Sequence, residues 1–447
     1  MANTYLSRTM NKAENTDSDK KFSYSAWIKR SSLSDACIIE GYYSSTFHSQ
    51  LYFDSNANLT LNCASGTSGA AFQIVTNRKF RDTSAWYHIV VAIDTTQGTA
   101  SDRAKIYING VQETSFSGAT YPNQNTSHQF NRNGNTAYLG RRTGGGVGLY
   151  FGGLMSHIHT TIGYTYDASA FGKTDTTTGE WEAKTSPSVT YGTNGFFILK
   201  DGNSVTDQSS NSNNFTVSGG TLTNLKDNPD NVFATMNPLY RTTNVTFSNG
   251  NNTITSSSGS WNAPASTLAA STGKWYAEGK ATGYNHNAVG VTSNPSGANT
   301  GYPFEIPGGY GYKFYTGGKT TQGADNVAYG NTLANGDIFS IALDLDNSKI
   351  YFGKNGTWQN SGNPTSGSTG TGAAFTLPSG ETYHFVNALN VQAGGASSQW
   401  NFGNGFFGTT AITTNSGNGY VGAEGKSKFN YPVPSGYSAL NTKGLNT

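Results

Sequence analysis

The stretch GDIFSIALDLDNSKIYFGKNGTW, residues 336–358, holds two runs of alternating apolar residues that are joined by Asp-Leu-Asp-Asn and stop at Asn-Gly. Such alternation is typical of β-strands, and Asn-Gly favours the positive φ angles of a tight hairpin turn. Residues 85–112, AWYHIVVAIDTTQGTASDRAKIYINGVQ, repeat this pattern: a run ending in Ala-Ile-Asp, a polar turn, and then Lys-Ile-Tyr-Ile-Asn-Gly. One kind of hairpin therefore occurs in two distant parts of the chain.

The composition favours a large all-β protein with a neutral surface. The chain has 447 residues, which is enough for two domains, because single hydrophobic cores stop growing near ~250–300 residues. Charged residues make up only 12%, whereas there are 56 Gly and 26 Tyr residues. A net charge of +2 argues against nucleic acid and against an anionic membrane as partners. Hydroxyl, amide and aromatic groups suit uncharged ligands, sugars above all.

The sequence carries no targeting signal that we recognise. Its opening, MANTYLSRTMNKAENTDSDKK, lacks the apolar core of a signal peptide, and no run reaches the roughly 18 apolar residues of a membrane span. We therefore expect synthesis in a cytoplasm and no membrane insertion. Cys37 and Cys63 lie on candidate neighbouring strands and could pair, but two cysteines do not make a disulfide framework in a chain this long. Two free, buried thiols are expected.

Strand-like segments fall into two series, which predicts two tandem antiparallel β-sandwiches. The first series comprises 22–30, 50–55, 86–94, 104–110, 136–141 and 154–164, and the second comprises 244–249, 273–281, 287–293, 310–316, the hairpin at 336–358, 383–389 and 398–404. Two sandwiches of related design would explain the repeated hairpin. Chance is the rival explanation, because hairpins ending in Asn-Gly are common.

The segment TNLKDNPDNVFATMNPLYRTT, with Pro229 and Pro238, is typical of a linker rather than a strand. It places the domain boundary near residue 228. The predicted organisation is an N-terminal extension at 1–20, a first domain at 21–225, a linker at 226–243 and a second domain at 244–447.

Residues 20–217 resemble a laminin-G or concanavalin-A-like lectin domain of the kind found in phage structural proteins. The resemblance is carried by FSYSAWIKR, WYHIVVAID, AKIYINGVQ and TAYLGR, and most specifically by residues 150–184 and 191–219. The latter block reaches a Ser-Ser-x-x-Asn-Asn-Phe-Thr signature at 209–216. The linker segment DNPDNVFATMNPL is also similar to the segment that joins this domain to the next in such proteins.

Residues 240–405 resemble a SPRY domain through GKWYAEGKA, AVGVTS, GYGYKFY, IALDLDNSKIYFGKNGTW and QWNFGNGFF, and the tail at 429–442 resembles the segment that closes SPRY modules in phage proteins. Together the two resemblances imply a tailed-phage virion protein built from two concanavalin-like jelly rolls, both used for binding. Family analogy implies a homo-oligomer, usually a trimer. Only about 20 residues precede the first sandwich, with no shaft or coiled coil, so attachment to tail or capsid is open.

A pair of carboxylates is a candidate for catalysis, because some concanavalin-like folds are glucanases that use two of them. Glu180 and Glu182 share one face of a strand about 6.6 Å apart. The glucanase motif Glu-x-Asp-x-Glu is absent, and we expect Trp181 to pack while both glutamates face solvent. No Gly-x-Ser-x-Gly elbow and no phosphate loop occur. We therefore expect no catalytic residues and no cofactor.

Two acidic and two histidine side chains have spacings that a metal site could use. Asp344 and Asp346 could bind calcium, but a polar hairpin turn explains the spacing equally well and is the favoured interpretation. His157 and His159 alternate on one strand, yet neither a neighbouring cysteine nor a third histidine completes a zinc set. Strand packing is expected for both, and no metal site is predicted.

Three loops are candidates for ligand contact. The loop 118–135 offers a stacking ring and many hydrogen-bonding groups, namely Tyr121, Asn123, Gln124, Asn125, His128, Asn131 and Arg132, unless it is only a solvated loop. The loop 294–312 places Tyr302, Phe304 and Glu305 beside Pro303 and Pro307; its alternative is a buried cap over the core. In the Gly-rich turn 141–150, Arg141 and Arg142 could contact anionic sugars or only face water.

The resemblance and the loops together predict a non-enzymatic surface protein of the virion, in a tail fibre or appendage, that binds a host receptor, with a glycan as the expected ligand. Several copies would raise avidity without new contacts. Its partners would be other virion structural proteins and the host glycan. Two alternatives remain: a structural appendage or decoration protein that binds only virion proteins, and a glycan depolymerase with two carboxylates in one cleft.

Overall fold

The computed structural model describes residues 3–13, 18–66, 70–144, 148–200, 202–240, 244–257, 259–283, 286–298, 302–390, 396–414 and 416–445. The chain divides into two compact units, Met1–Asn224 and Leu225–Thr447. Both are built from antiparallel sheets, so the all-β prediction is confirmed. Helices in the described residues are single turns: α1 (Pro295–Ala298), α2 (Thr442–Leu445) and 3₁₀ turns at Ser18–Lys20, Ala100–Asp102, Ala168–Ala170, Gln359–Ser361 and Gly367–Thr369.

The first unit contains sixteen strands in the described residues. They are β1 (Tyr5–Thr9), β2 (Lys21–Arg30), β3 (Ala36–Ser44), β4 (Phe47–Phe53), β5 (Asn58–Ser65), β6 (Ala70–Lys79), β7 (Tyr87–Asp94), β8 (Ala104–Ile108), β9 (Val111–Gln112), β10 (Phe116–Thr120), β11 (Thr136–Leu139), β12 (Gly153–Ile162), β13 (Gly172–Thr174), β14 (Trp181–Ala183), β15 (Phe196–Ile198) and β16 (Thr216–Ser218).

Two sheets form the first sandwich. An eight-stranded sheet has the order β10-β6-β5-β4-β3-β11-β1-β16, and a six-stranded sheet has the order β15-β12-β2-β7-β8-β9. Alternate residues from both sheets, such as Leu61, Ile74, Ile89 and Ile106, are fully buried in one hydrophobic core. The hairpin β13–β14 packs Trp181 against a small cluster around Val90 and Phe171. As expected, Trp181 packs and Glu180 is exposed.

The second unit contains seventeen strands in the described residues. They are β17 (Val245–Ser248), β18 (Thr253–Ser256), β19 (Ala265–Ala270), β20 (Lys274–Ala281), β21 (Asn287–Thr292), β22 (Gly309–Lys313), β23 (Gly318–Thr321), β24 (Ala324–Ala328), β25 (Ile338–Asp344), β26 (Lys349–Lys354), β27 (Thr357–Trp358), β28 (Phe375–Thr376), β29 (Tyr383–Leu389), β30 (Ala396–Asn401), β31 (Phe406–Phe407), β32 (Thr410–Ala411) and β33 (Ser438–Ala439).

These strands make a second sandwich. The path β17-β18-β30-β20-β25-β26-β27, with β28 and β33 attached, forms one sheet, and β19-β29-β21-β22-β23-β24 forms the other. The segment that contains Phe429, Tyr437 and Ala439 packs on the former sheet in a separate apolar cluster with Tyr276 and Tyr351. The tail predicted to close the module therefore covers one of its sheets.

The repeated hairpin has the same local chemistry in both units. Asn109 and Gly110 have φ angles of 49° and 83°, and Asn355 and Gly356 have 48° and 78°. In each turn the asparagine side chain accepts a hydrogen bond from the N–H of a residue in the preceding long strand, His88 or Ile338, at 2.8 Å. Asparagine and glycine tolerate these angles, which is why the same dipeptide ends both hairpins.

The sequence suggested that the segments 1–20 and 226–243 lie outside the sandwiches. In the structure, both segments contribute to the sandwiches. Within the predicted extension 1–20, β1 lies between β11 and β16 in the large sheet. Within the predicted linker 226–243, Phe233, Ala234 and Met236 are fully buried in the second unit, and the N–H of Ala234 donates to the Leu440 carbonyl. The prolines of this segment indicated a linker, but the burial of its apolar side chains makes it part of the domain. Residues 1–2, 14–17 and 241–243 of these segments lie outside the described residues.

Cys37 and Cys63 are free and buried, as expected. They lie on β3 and β5, which are separated by β4. Burial raises the pKa of the Cys63 thiol to about 11, so this thiol stays protonated at neutral pH.

Candidate functional site

The outer face of the eight-stranded sheet carries tyrosines because of strand alternation. On β1, Leu6 points into the core, so Tyr5 and Ser7 lie on the opposite side. On β11, Ala137 and Leu139 are core residues and Tyr138 lies on the outer side. Cross-strand pairing brings Ser7 opposite Tyr138. The register of β1 on β11 thus places side chains from distant parts of the sequence side by side.

Four half-buried tyrosines form the tyrosine face, which we define as Tyr5, Tyr42, Tyr138 and Tyr150. The ring centroids of Tyr5 and Tyr138 are 6.0 Å apart, those of Tyr42 and Tyr138 are 6.3 Å apart, and those of Tyr5 and Tyr150 are 6.2 Å apart. All three pairs are tilted, within the usual range for favourable aromatic contacts. The face therefore offers apolar ring surface next to phenolic hydroxyl groups.

The guanidinium carbon of Arg141 lies 4.6 Å from the Tyr5 ring centroid and 5.4 Å from the Tyr138 ring centroid. Both distances are within the range of cation–π attraction. Arg141 is half-buried, and the side chain makes no hydrogen bond or ion pair with the described residues. Stacking therefore holds a positive charge in the middle of the tyrosine face.

A row of polar side chains crosses the same sheet through successive cross-strand pairs. Its members are Thr216, Ser7, Tyr138, Glu40, Gln50, Asn62 and Gln73. The two ends of the row are accessible, whereas Glu40 and Gln50 in the middle are buried. Hydroxyl and amide groups thus flank the tyrosine face on the strands to either side.

Glu40 fixes the segment that follows β11 against the sheet. Its carboxylate accepts hydrogen bonds from the Thr143 N–H at 2.6 Å, the Gly144 N–H at 2.7 Å and the Gln50 side chain at 2.7 Å. Burial raises the pKa of Glu40, and these hydrogen bonds oppose the rise. Residue 144 has to be glycine, because a Cβ there would lie 2.5 Å from the His48 ring. The clamp thereby sets the position of the neighbouring arginines.

An exposed aromatic pair lies at the tip of the hairpin β3–β4. Tyr43 is 64% exposed and Phe47 is 40% exposed, with their rings edge to face and their centroids 6.5 Å apart. Two large apolar side chains at a hairpin tip are unusual enough to suggest a contact surface.

The loop 118–135 divides into an exposed part and a buried part. Asn123, Gln124 and Asn125 are exposed, and the Gln124 side chain donates to the Thr96 carbonyl at 3.1 Å. Tyr121 is half-buried against the core. The accessible residues of this predicted site are therefore mostly amides.

The interpretation of His128 and Asn131 as ligand contacts is wrong, because both are buried, at 0% and 1% exposure. His128 packs 5.3 Å from the Phe22 ring, and the Asn131 side chain donates to Thr160 Oγ1 at 2.6 Å. Arg132 is half-buried and lies 3.4 Å from the Asp19 carboxylate. Asn and Gly suggested a solvated loop, but the chain folds back onto the core.

In the loop 294–312, the alternative of a buried cap holds. Tyr302 is 7% exposed and Phe304 is not exposed, and both pack with Ala288, Val386 and Ala388 on the outer side of the smaller sheet. The proposal that these two rings contact a ligand is therefore wrong, whereas Glu305 is exposed. Residues 299–301 of this loop lie outside the described residues.

Arg142 lies beside the tyrosine face in the third candidate loop. Its N–H donates to the Gly148 carbonyl at 3.0 Å, and the Gly148 N–H donates back at 3.1 Å, so the turn 142–148 is closed by backbone bonds. The residue is half-buried. Residues 145–147 of this turn lie outside the described residues.

The side chains weighed for catalysis or metal binding have structural partners. Glu182 lies 3.6 Å from the Lys173 ammonium, Asp344 accepts from the Asn347 N–H at 3.0 Å, and Asp346 accepts from the Gly273 N–H at 2.8 Å. The turn interpretation of the aspartates fits these bonds. His159 is buried and stacks on Phe197 with centroids 3.8 Å apart. Among the described residues, no group of three or more His, Cys, Asp or Glu side chains is arranged to hold a metal ion.

The signature at 209–216 is a structural clasp. Asp207 accepts hydrogen bonds from the N–H groups of Phe197, Ser209 and Asn213 at 2.8–2.9 Å. The Asn213 side chain in turn donates to the Gly195 carbonyl at 2.7 Å. The most specific motif of the first unit thus closes its sandwich. Within the described part of the chain, no helix is long and apolar enough to cross a membrane.

Residues 4–160 match a family described as the concanavalin A-like lectin/glucanases superfamily. The match covers all four residues of the tyrosine face. It supports the predicted lectin-like domain in the first unit, whereas the tailed-phage origin stays a prediction. Comparison with curated proteins finds no match.

Several solved structures match parts of this chain at low identity. The SPRY domain of human HERC1 is 16% identical, with 37% of this chain and 96% of that chain covered and a TM-score of 0.30. A native heptameric SAP-like pentraxin from Limulus polyphemus is 20% identical, with 36% and 71% covered and a TM-score of 0.27. A human SPRY domain is 14% identical, with 35% and 94% covered and a TM-score of 0.26. These values are too low to argue function.

The sequence did not point to the tyrosine face. Its four tyrosines lie far apart in the chain, and two of them belong to β1 and β3, which were not among the predicted strands. One usable signal was present: in TAYLGR the tyrosine alternates with core-facing Ala137 and Leu139, which marks Tyr138 as outward-facing.

Proposed function

We propose that the protein binds a glycan through the tyrosine face and does so without catalysis. The observation that carries this proposal is the set of four half-buried tyrosines on one sheet face beside a row of hydroxyl and amide groups. Aromatic rings pack against the C–H faces of sugar rings, while neighbouring polar groups hydrogen-bond the sugar hydroxyls. The match of residues 4–160 to a lectin-like family supports a binding role for this unit.

The test replaces the two tyrosines of the face on which Arg141 does not stack. Purified protein is applied to a broad glycan array, and the Tyr42→Ala/Tyr150→Ala double variant is compared with Tyr164→Ala. Tyr164 is 43% exposed and lies after β12, away from the tyrosine face, so this control removes a similar ring elsewhere. Loss of array binding in the double variant alone supports the proposal. Equal binding by all three proteins would move the site elsewhere.

We further propose that this binding serves host recognition from the exterior of a tailed-phage virion, in a fibre or appendage with several copies. The basis is the resemblance of both units to modules of phage structural proteins. Multiple copies would turn weak single sites into strong attachment. Immunogold microscopy of intact particles with antibody to this protein tests the role: label at tail or fibre tips supports it, whereas label over the capsid, or none, contradicts it.

A second candidate function is a structural appendage whose partner is another virion protein. The exposed pair Tyr43 and Phe47 favours this alternative, because apolar side chains at a hairpin tip suit insertion into a protein surface. Ser substitution at both positions would then remove the protein from assembled particles. Retention of the Tyr43→Ser/Phe47→Ser variant in particles would exclude this role for the tip.

A further inference from the structure

The side chain of Arg141 is held in place by aromatic rings, but it forms no hydrogen bond or ion pair within the described part of the chain. Its guanidinium stacks over Tyr5 and Tyr138, at 4.6 Å and 5.4 Å from their ring centroids. Stacking occupies the flat side of the guanidinium and leaves its in-plane N–H donors to form hydrogen bonds at the edge. Its Nε–H is buried without a hydrogen-bond partner among the described residues, so the two terminal Nη groups are the donors that remain for a ligand.

The surroundings of Arg141 leave its charge uncompensated at the surface. Glu40 is the only acidic member of the polar row, and it is fully buried. Its two oxygens are taken up by the Gln50 side chain and by the N–H groups of Thr143 and Gly144. Arg142 is adjacent in the sequence and half-buried. The accessible part of this face is therefore positive, although the chain as a whole is close to neutral.

We propose that the glycan bound by the tyrosine face is acidic, and that Arg141 binds a carboxylate of its sugar residues; this inference rests on the proposed function. A carboxylate is planar and matches the fork of a guanidinium with two parallel hydrogen bonds. The rings of Tyr5 and Tyr138 fix the guanidinium before the ligand arrives, which lowers the entropy lost on binding. The flanking rings of Tyr42 and Tyr150 remain for the sugar itself.

An acidic glycan fits this site better than a nucleic acid does. Binding to a phosphate backbone generally uses an extended basic surface with many contacts. Here the positive charge is confined to two neighbouring arginines in a chain with a net charge of +2. One carboxylate per bound sugar segment, surrounded by tyrosines and amides, agrees with that local charge.

The test pairs each polymer with a version that differs only at its carboxyl groups. Alginate, hyaluronan, polygalacturonate and polysialic acid are each compared with their carboxyl-reduced or methyl-esterified forms, using the intact protein in affinity electrophoresis. The account expects binding to at least one acidic polymer and roughly tenfold or greater weakening on reduction or esterification, because a charge-assisted hydrogen-bond pair is lost.

Variants assign the effect to Arg141. Arg141→Gln should lose about as much affinity as removal of the polymer's carboxylates, and the loss should vanish when the neutral polymer is used. Arg141→Lys keeps the charge without the planar fork and should show a smaller loss. Arg81→Gln removes an exposed arginine elsewhere in the same unit and should bind normally. Unchanged far-ultraviolet circular dichroism and thermal midpoint show that the variants fold.

Three outcomes would overturn the inference. Equal binding of acidic and neutral forms would leave a glycan-binding protein without acidic specificity. If Arg141→Gln does not weaken binding to acidic polymers, or to single-stranded DNA used as a probe, the binding reflects diffuse charge attraction. Failure to bind any polysaccharide, acidic or neutral, would contradict the proposed function as well.

Discussion

Arg141 lies over the ring of Tyr5, with its guanidinium carbon 4.6 Å from the ring centroid. Tyr5 belongs to the first strand of the chain, and Arg141 follows β11, the strand that pairs with it. The contact therefore depends on the correct pairing of β1, and it couples the amino-terminal segment to the proposed binding face.

Replacement of Tyr5 by alanine should weaken glycan binding, because Arg141 loses its supporting ring. Tyr5→Phe keeps the ring and should bind nearly normally. A cation–π contact at a partly exposed site is worth about 0.5–1 kcal/mol, so a loss of roughly twofold to fivefold is expected. Titration of the array-selected glycan against both variants measures it. Equal losses in the two variants would show that the ring is not the support.

Gly144→Ala should destabilise the first unit. The added Cβ would lie 2.5 Å from the His48 ring and 3.0 Å from a carboxylate oxygen of Glu40, so the turn or the histidine must move. Overpacking of this kind costs about 1–3 kcal/mol. Gly118→Ala on β10 is the matched control, because its Cβ would meet nothing within 4 Å. Hydrogen exchange followed by mass spectrometry should show faster exchange near Gly144 in the former variant alone.

Glu278 should make the second unit more stable in mild acid. Its carboxylate is buried and accepts hydrogen bonds from the Tyr276 hydroxyl and from the N–H groups of Asn430 and Tyr431. Burial nevertheless raises the pKa of Glu278 from 4.5 to about 7. Between these values the folded state holds a proton that the unfolded state releases. The contribution of Glu278 to the free energy of unfolding is therefore complete below pH 4.5. It decreases by about 3 kcal/mol as the pH rises to 7.

Glu278→Gln should remove this pH dependence, even though one acceptor is lost and the variant is less stable overall. Exchange rates in peptides of β20 and of the segment around Asn430, measured from pH 4.5 to 8 and corrected for intrinsic rates, report the effect. If the difference in exchange rate between wild type and variant stays constant over this pH range, the assignment to Glu278 is wrong.

His128 should have the opposite effect on the first unit. Burial lowers the pKa of His128 from 6.5 to about 4, so the folded state keeps the ring neutral while the unfolded state is protonated. Stability is therefore lost as the pH falls from 6.5 toward 4, by about 3 kcal/mol. His128→Phe retains a ring packed against Phe22 and Phe130, and it should reduce the acid sensitivity of peptides in β2 and in the loop around Phe130. If the variant and the wild-type protein are equally sensitive to acid, the effect comes from other buried histidines.

The sequence predicted the architecture well where local chemistry decides it. The two hairpins ending at Asn109-Gly110 and Asn355-Gly356 formed as expected, because the dipeptide has few alternatives to a tight turn. The predicted strands 86–94 and 104–110 became β7 and β8 within a residue or two of these bounds, and the predicted hairpin 336–358 contains β25 and β26.

Prediction of the site failed where long-range packing decides it. Composition marked 118–135 as a loop, but whether His128 faces water or the core depends on the sheets it packs against. The same holds for Tyr302 and Phe304 under the cap. Tyr5, Tyr42 and Tyr138 come together through the pairing of β1, β11 and β3, and register between distant strands has no local sequence signal.

Hydrogen exchange of the protein with and without the array-selected glycan locates the binding surface and so tests whether the tyrosine face holds the ligand. We expect slower exchange in the segments that carry the tyrosine face and Arg141, namely 5–9, 36–44, 136–144 and 148–151, and little change elsewhere. Protection confined to 121–125, to the region of Glu305, or to the second unit in general would contradict the assignment of binding to the tyrosine face.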